Sequence, residues 1–294
     1  MEESIDQIRI QAPAKVNLTL RILGKRKDGY HDLDSVMQKL DLVDNITLSR
    51  SKHPGIQLSC PRSDIPENGS NLVWKAAAAF LKQAGLEKQW GVSIVLEKNI
   101  PVAAGLGGGS SDAGCVLTAM NSFFNAELSE EVLLHLGKRL GADVPFFVTP
   151  YSAVHATGIG ELMNPTKSLE KCSLLLVNPG FSVSTAWVYE NYSLTRTVKD
   201  SRLSDSRKFD RHDGMNSLLH NDLEAVTVER YPVLETIKNV ILDMGASGAL
   251  MSGSGPTVFG IFPDEFGCES TKLRNCAEKL REQYGTGVFI TRPF

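Results

Sequence analysis

The chain of 294 residues lacks a basic surplus, because its 31 Lys and Arg residues are outnumbered by 34 Asp and Glu, for a formal net charge of −3. A dedicated nucleic-acid-binding protein usually carries a positive excess, so we expect no nucleic-acid partner. No apolar run is long enough to span a bilayer, and the acidic start at Met1-Glu2-Glu3 is unlike a targeting peptide. We therefore expect no membrane partner and a cytoplasmic location.

Paired cysteines are also missing from the sequence. The five cysteines are odd in number, widely spread and without a C-x-x-C pair, so their spacing predicts neither a disulfide framework nor a zinc site. Reduced thiols are the simple interpretation. These residues are Cys60, Cys115, Cys172, Cys268 and Cys276.

The remaining composition is that of an ordinary globular protein, with 42% hydrophobic and 22% charged residues. The length fits two domains better than one. Composition changes near residue 160, so we expect domains over 1–160 and 161–294. Strands and helices are mixed irregularly along the chain, which favours an α+β fold over a doubly wound parallel sheet.

A glycine-rich stretch in the first half carries the strongest functional signal. It follows a predicted strand and leads into a predicted helix, and glycines let successive backbone N–H groups point at one spot. The positive end of the helix dipole adds to this, so the stretch suits a phosphate group. Its residues are Pro101, Val102, Ala103, Ala104, Gly105, Leu106, Gly107, Gly108, Gly109, Ser110 and Ser111.

Two common glycine motifs do not match this stretch. A P-loop requires Gly-Lys followed by Ser or Thr, and that tripeptide occurs nowhere in the chain. The dinucleotide fingerprint fails because Ser110 stands where the third glycine belongs. A flexible turn that caps a helix is the plain alternative, but such turns rarely place two serines at a helix entry.

Hydrophobic periodicity and turn signals predict the other elements. Val16 to Ile22 alternates as a half-buried strand, after Pro13 interrupts the chain. Residues 193–214 are polar and carry charges of both signs, which favours a solvated connection over a substrate lid. Further strands are predicted at 46–49, 56–60, 92–98, 173–177, 258–262 and 287–291, and helices from Asn71, from Ser129 to Gly141, and at 216–229, 232–244 and 265–284.

Single polar residues give weaker signals. On local grounds alone, we expect Lys15 at a strand start to be a solvated side chain. We likewise expect Tyr30-His31 in a loop to be an exposed pair without a functional role. Asp143 lies between Ala142 and Val144, which predicts partial burial. Such an aspartate commonly caps a helix or accepts backbone N–H bonds, and its position in the sequence does not decide between these roles and catalysis.

Three motifs occur in order: Pro13-Ala14-Lys15-Val16-Asn17-Leu18, the glycine stretch, and Met251-Ser252-Gly253-Ser254-Gly255. On these motifs the chain resembles the GHMP small-molecule kinases over nearly its whole length. The resemblance implies an N-terminal domain like the second domain of ribosomal protein S5 and a ferredoxin-like C-terminal domain. It also implies ATP and Mg²⁺ as cofactors, ATP binding by the glycine stretch, and Lys15 and Asp143 as catalytic residues.

Further motifs resemble one branch of this family, which phosphorylates the 2-hydroxyl of a cytidine diphosphate-linked methylerythritol in non-mevalonate isoprenoid biosynthesis. They are Asp28-Gly29-Tyr30-His31, residues 141–147, Gly158-Ile159-Gly160-Glu161 and His220-Asn221-Asp222-Leu223-Glu224. The likeness implies this small molecule as substrate, bound by Asn17, Tyr30, His31 and Tyr189, with the cytosine ring between the two tyrosines. Ser110 or Ser111 would hold Mg²⁺, with Ser111 as the candidate ligand.

Two alternatives stay open at this stage. One is another kinase of the family, acting on homoserine or a mevalonate derivative. The other is a non-catalytic nucleotide sensor or RNA-binding protein, which would not need Lys15 and Asp143 together. A monomer and a homodimer are both compatible with the sequence.

The sequence also departs from the family pattern at two places. Gly114 and Cys115 stand where alanines are expected, and Thr149-Pro150-Tyr151 replaces a glycine-containing turn.

Overall fold

The computed structural model describes residues 7–51, 53–62, 64–195, 218–264 and 270–294. The chain packs into two compact units, each built from separated stretches. The first unit comprises the chain up to Ala14, Leu42–Ile100 and Gly107–Tyr151, and the second comprises Lys15–Asp41, Pro101–Leu106 and Ser152–Phe294. The predicted domain boundary at residues 160 and 161 stays a prediction.

Two long strands contribute residues to both units: β1 (Gln7–Lys25) and β2 (His31–Ser51). The other elements that the structure describes in the first unit are two strands and four helices. They are β3 (Gly55–Ser59), α1 (Leu72–Gln83), β4 (Gly91–Glu97), α2 (Gly108–Phe123), α3 (Glu130–Leu140) and α4 (Val144–Val148).

In the first unit, β4 pairs antiparallel with the second half of β2 and parallel with β3. The inward side chains of these strands and the apolar faces of α1, α2 and α3 form one buried cluster, in which Phe80 and Met120 are fully enclosed. The predicted helix signals are confirmed: Asn71 caps α1 through its side chain, Ser129 caps α3, and Gly141 ends α3.

The described residues of the second unit form seven further strands and four α-helices. In chain order these are β5 (Ala153–Gly158), β6 (Leu162–Pro165), β7 (Cys172–Val177), α5 (Thr185–Thr195), β8 (His220–Asn221), α6 (Glu224–Arg230), α7 (Val233–Asp243), β9 (Gly248–Met251), β10 (Val258–Pro263), α8 (Thr271–Tyr284) and β11 (Val288–Thr291).

Two sets of paired strands organise the second unit. An antiparallel sheet has the order β11-β7-β10-β9, and its apolar residues pack with those of α7 and α8 in a second core. Separately, β5 pairs antiparallel with the first half of β2 and with β6, and β8 pairs parallel with β1 at Thr19 and Leu20. The predicted α+β class and the strands at 173–177, 258–262 and 287–291 are confirmed.

Two local predictions are wrong. Pro13 does not interrupt β1, which continues through it, and β1 is buried on both faces from Ala12 to Leu20 rather than half-buried. The helix predicted at 216–229 begins at Glu224, because His220 and Asn221 pair with β1 instead. The strand predicted at 46–49 is confirmed, as part of the longer β2.

The other helix predictions in this half hold where the chain is described. The helix expected at 232–244 is α7, with Pro232 at its N-cap. The helix expected at 265–284 is α8 from Thr271 onward, capped by the Ser270 side chain. Residues 196–214 of the polar connection, residues 216 and 217, and residues 265–269 lie outside the described residues. Among the helices that are described, none is long and apolar enough to cross a membrane.

Candidate active site

All three motifs contribute to a junction within the second unit. The Lys15 N–H donates to the Leu106 carbonyl oxygen at 2.9 Å, which joins β1 to the glycine stretch. The Ser252 hydroxyl donates to the Gly105 carbonyl oxygen at 2.9 Å and accepts from the Asn17 N–H at 3.4 Å. The Ser252 hydroxyl therefore bridges the first motif and the glycine stretch.

Glycine is required at position 105 by this close packing. Gly105 has a φ of +78°, and a Cβ at this position would lie 2.1 Å from the Ser252 carbonyl oxygen. Before Gly105, Val102 is exposed and Ala103 has a φ of +51°. The Ala104 carbonyl oxygen accepts from the Thr257 N–H at 3.3 Å. The turn over residues 252–257 thus holds this half of the stretch through its backbone.

Lys15 is buried, with only 4% of its surface exposed, so the interpretation of a solvated side chain is wrong. Its ammonium Nζ donates to Asn17 Oδ1 at 2.6 Å, and Asn17 Nδ2 donates to Ser35 Oγ at 2.9 Å. The Ser35 hydroxyl donates in turn to the Thr19 carbonyl oxygen at 2.6 Å. This chain of hydrogen bonds fixes the direction of the lysine side chain, and Asn17 is its direct support.

The second half of the glycine stretch belongs to the first unit. Gly107 is the N-cap of α2 with a φ of +70°, and Gly108, Gly109, Ser110 and Ser111 form the first helical turn. The helix therefore starts earlier than the sequence indicated. The Ser111 N–H donates to the Gly107 carbonyl oxygen at 2.8 Å, the first hydrogen bond of the helix. The N–H groups that precede it and the positive end of the helix dipole suit an anion.

The two serines of this turn differ in their surroundings. Ser111 is fully buried, and its hydroxyl has no hydrogen-bond partner within the described residues. Ser110 is half-buried, and its Oγ lies 4.0 Å from where a Cβ on Gly141 would stand. Ser110 thus lies beside the turn that contains Asp143, and Ser111 offers an unsatisfied oxygen at the helix N-terminus.

A buried network of three charged side chains lies beside this helix end. Lys98 Nζ contacts Asp44 Oδ2 and lies 2.7 Å from Asp112 Oδ2. Burial raises the pKa of Asp112 to about 7; the Lys98 ammonium opposes this rise, and the Asp44 carboxylate adds to it. Burial alone would lower the pKa of Lys98, but the two carboxylates outweigh it and raise that pKa. Sequence reasoning assigned no role to these residues.

Asp143 occupies the N-cap position of the short helix α4 with a φ of −84°. Its side chain makes no capping hydrogen bond, so the prediction that Asp143 caps a helix through its side chain is wrong. It is half-buried, as predicted. Asp143 belongs to the first unit and Lys15 to the second, and their joint action stays a prediction.

The predicted substrate-binding aromatics lie in the second unit. The rings of His31 and Tyr189 face each other with centroids 5.3 Å apart and planes at 31°. Burial, and then the nearby Lys25 charge, lower the pKa of His31, which favours the neutral ring. Tyr30 is 60% exposed, and its N–H donates to Asp28 Oδ1 at 3.1 Å. The structure therefore places His31 against Tyr189, and the stacking of cytosine between Tyr30 and Tyr189 stays a prediction.

The first departure from the family pattern has a packing reason. A Cβ at Gly114 would lie 2.8 Å from Phe147 Cβ and 2.9 Å from the Val144 carbonyl oxygen, so α4 packs directly on the backbone of α2. At the second departure, Thr149 ends α4, and its hydroxyl donates to the Phe146 carbonyl oxygen at 2.8 Å. Both departures thus shape the helix that follows Asp143.

Comparison with known proteins gives consistent matches. The model of the GHMP kinases N terminal domain matches residues 71–150, and that of the GHMP kinases C terminal domain matches residues 207–284. The 4-diphosphocytidyl-2-C-methyl-D-erythritol kinase of Desulfotalea psychrophila is 44% identical over 288 residues, covering 97% of this chain and 95% of the relative.

Solved structures agree with these sequence matches. A crystal structure of 4-(cytidine 5′-diphospho)-2C-methyl-D-erythritol kinase has a TM-score of 0.78 and 31% identity, covering 97% of this chain and 98% of its own. A homoserine kinase from Cytophaga hutchinsonii has a TM-score of 0.73 at 16% identity, covering 100% of this chain and 96% of its own, and shows the shared fold alone. Both the family models and the full-length relative point the same way: this chain belongs to the GHMP kinases.

Proposed function

We propose that this protein transfers the γ-phosphoryl group of ATP to the 2-hydroxyl of 4-diphosphocytidyl-2-C-methyl-D-erythritol. The observation that carries the proposal is 44% identity, over 97% of the chain, to a relative named as the kinase of this compound. The reaction is that of a phosphotransferase with an alcohol acceptor, in non-mevalonate isoprenoid precursor biosynthesis. We also expect a cytoplasmic enzyme that acts as a monomer or homodimer without a nucleic-acid partner.

ATP would be held by the glycine stretch. Phosphoryl transfer passes through a loose transition state, so catalysis depends on positioning and on neutralising the phosphate charge. The N–H groups of the first turn of α2 supply fixed positive dipoles for that purpose. Mg²⁺ would supply positive charge that neutralises the phosphates. The buried, unpartnered hydroxyl of Ser111 fits a role as its protein ligand.

Asp143 is proposed as the group that accepts the proton of the attacking hydroxyl. Two observations support this role: its side chain does not cap α4, and its turn lies beside Ser110 at the start of α2. Lys15 is proposed to stabilise the developing alkoxide and to orient the base. The hydrogen bond from its ammonium to Asn17 supports this, because it holds the charge in one direction.

The cytosine end of the substrate is assigned to His31, Tyr30 and Tyr189. The rings of His31 and Tyr189 pack against each other and form an aromatic surface on which a flat ring can stack, which supports this assignment. Binding energy gained there, remote from the reacting hydroxyl, can be used to position that hydroxyl. Asn17 is proposed to contact the substrate while it supports Lys15.

An acceptor screen tests the assignment. Purified protein is incubated with ATP labelled at the γ-phosphate and, separately, with the cytidylyl substrate, homoserine and mevalonate. We expect transfer to the cytidylyl compound with a kcat/KM at least about 100-fold above the other two, because only that acceptor fills the aromatic site. Preferred transfer to homoserine or mevalonate would assign the chain to another branch of the family, and no transfer at all would remove the kinase proposal.

A further inference from the structure

We infer that the buried network of Asp44, Lys98 and Asp112 is a positioning device, which fixes both ends of the glycine stretch in the arrangement that binds ATP. The inference rests on the proposed function, since it assigns ATP to the glycine stretch. None of the three residues is placed in contact with the phosphates. They act through the backbone at Ile100 and Gly108.

Asp44 holds the end that precedes the stretch. Its Oδ1 accepts from the N–H groups of Asn99 at 2.6 Å and Ile100 at 2.8 Å, and its Oδ2 accepts from Lys98 Nζ. The Asn99 side chain adds a hydrogen bond from Nδ2 to the Val43 carbonyl oxygen at 2.8 Å. One buried carboxylate on β2 therefore fixes the direction in which the chain leaves β4.

Asp112 ties the following end to the same lysine. It lies in the second turn of α2 and accepts from Lys98 Nζ at 2.7 Å. The helix start also packs on this segment, because a Cβ at Gly108 would lie 3.1 Å from Ile100 Cγ2 and 3.2 Å from Lys98 Nζ. The residues on either side of 101–107 are thus joined through one ammonium group.

The composition of the network is poorly explained by stability alone. Asp44, Lys98 and Asp112 are exposed by only 0%, 4% and 2% of their side-chain surfaces, and Asp112 Oδ1 has no hydrogen-bond partner within the described residues. When both carboxylates are ionised, they and the one ammonium leave an excess buried negative charge, which costs desolvation energy that packed apolar residues would avoid. A directional network suits a loop whose N–H groups must be preorganised for phosphates.

Two variants and a control test this inference. Asp112→Asn keeps the shape and removes the charge that draws Lys98 to α2, while Lys98→Met removes the shared ammonium. Arg50→Met is the control, because Arg50 is a cation of the same unit that stacks on Trp90, with its Cζ 4.8 Å from the ring centroid, and contacts no part of the network. All four proteins are compared well below their melting temperatures.

The readouts are the Kd for ATP with Mg²⁺, the Kd for the cytidylyl substrate, and hydrogen exchange of peptides over 99–110 without ligand. In both network variants we expect the Kd for ATP to rise by about tenfold or more, and exchange over 99–110 to become faster. The Kd for the cytidylyl substrate should change by less than about twofold. Arg50→Met should lower the melting temperature without weakening ATP binding more than binding of the cytidylyl substrate.

The inference is overturned if the network variants bind ATP as tightly as the parent, or if their affinities for ATP and for the cytidylyl substrate fall together. It is also overturned if Arg50→Met weakens ATP binding selectively. Should Lys98→Met fail to fold, Asp112→Asn decides, because it relieves the excess charge and keeps the packing. The ATP and exchange measurements need no acceptor. Failure of the proposed transfer to the cytidylyl compound would therefore be seen separately, in the acceptor screen.

Discussion

Replacing Gly114 by alanine should destabilise the first unit, although alanine is the better helix former. The added Cβ would stand 2.8 Å from Phe147 Cβ and 2.9 Å from the Val144 carbonyl oxygen. The first distance is about 0.7 Å shorter than the ~3.5 Å of an optimal carbon–carbon contact. A backbone oxygen cannot rotate away, so α4 has to move as a whole.

The size of the effect follows from two opposing terms. Overpacking of a buried contact costs about 1–3 kcal/mol. The gain in helix propensity from glycine to alanine returns up to about 1 kcal/mol. We therefore expect a net loss of about 1–2 kcal/mol, or about 2–8 °C in melting temperature. Because Asp143 directly precedes α4, the same displacement should also lower kcat.

Thermal and urea unfolding of Gly114→Ala and Gly137→Ala provide the measurement. Gly137 is a matched control, since it is also a helical glycine that faces α4, but its added Cβ would meet Val144 Cγ1 at 3.3 Å and Pro145 N at 3.4 Å. The Val144 side chain can shift, so we expect Gly137→Ala to stay within about 0.5 kcal/mol of the parent. If Gly114→Ala is as stable as Gly137→Ala, the packing argument is refuted.

Three further predictions concern the proposed site. Asp143→Asn should lower kcat by orders of magnitude while the Kd for ATP stays nearly unchanged, and a kcat within a few-fold of the parent would remove Asp143 from the role of base. Tyr189→Ala should raise the KM for the cytidylyl substrate by about tenfold and the KM for ATP much less, because a ring stacked on a base contributes ~1–3 kcal/mol. Tyr189→Phe, which keeps the ring, is the control. Equal effects of Tyr189→Ala on both KM values would contradict the assigned pocket. The parent should lose stability relative to Asp112→Asn as pH rises from about 4 to about 7, since the folded-state pKa of Asp112, about 7, lies above its ordinary value of 3.8. The free energy of unfolding, measured by urea titration at several pH values, tests this. If it changes equally with pH in the two proteins, Asp112 does not carry the effect.

Sequence motifs predicted the pieces of the site better than their arrangement. The strand–glycine–helix order, the capping residues Asn71 and Ser129, and the partial burial of Asp143 all depend on local chemistry, which a short window of sequence contains. The start of α2 was misplaced because glycines at 108 and 109 resemble a loop. The structure makes them helical, since they pack against neighbouring segments.

Long-range contacts account for what the sequence did not indicate. Lys15 has the local pattern of a solvated lysine because its partner Asn17 is held by Ser35 of β2, which meets Asn17 only once β1 and β2 are folded. The network of Asp44, Lys98 and Asp112 joins residues up to 68 positions apart, and no local pattern marks such a group. Gly114 departs from the family pattern for a reason that only the packing of α4 reveals.

The position of the transferred phosphate tests the central claim most directly. The 2-hydroxyl of a 2-C-methyl sugar alcohol is tertiary, so its carbon bears no hydrogen. In a proton-coupled ³¹P spectrum of the product made from 4-diphosphocytidyl-2-C-methyl-D-erythritol and ATP, we predict one new phosphomonoester singlet, formed in equal amount with ADP. A doublet or triplet from coupling to a carbinol hydrogen, or ADP formed without a new phosphomonoester, would contradict the proposed reaction.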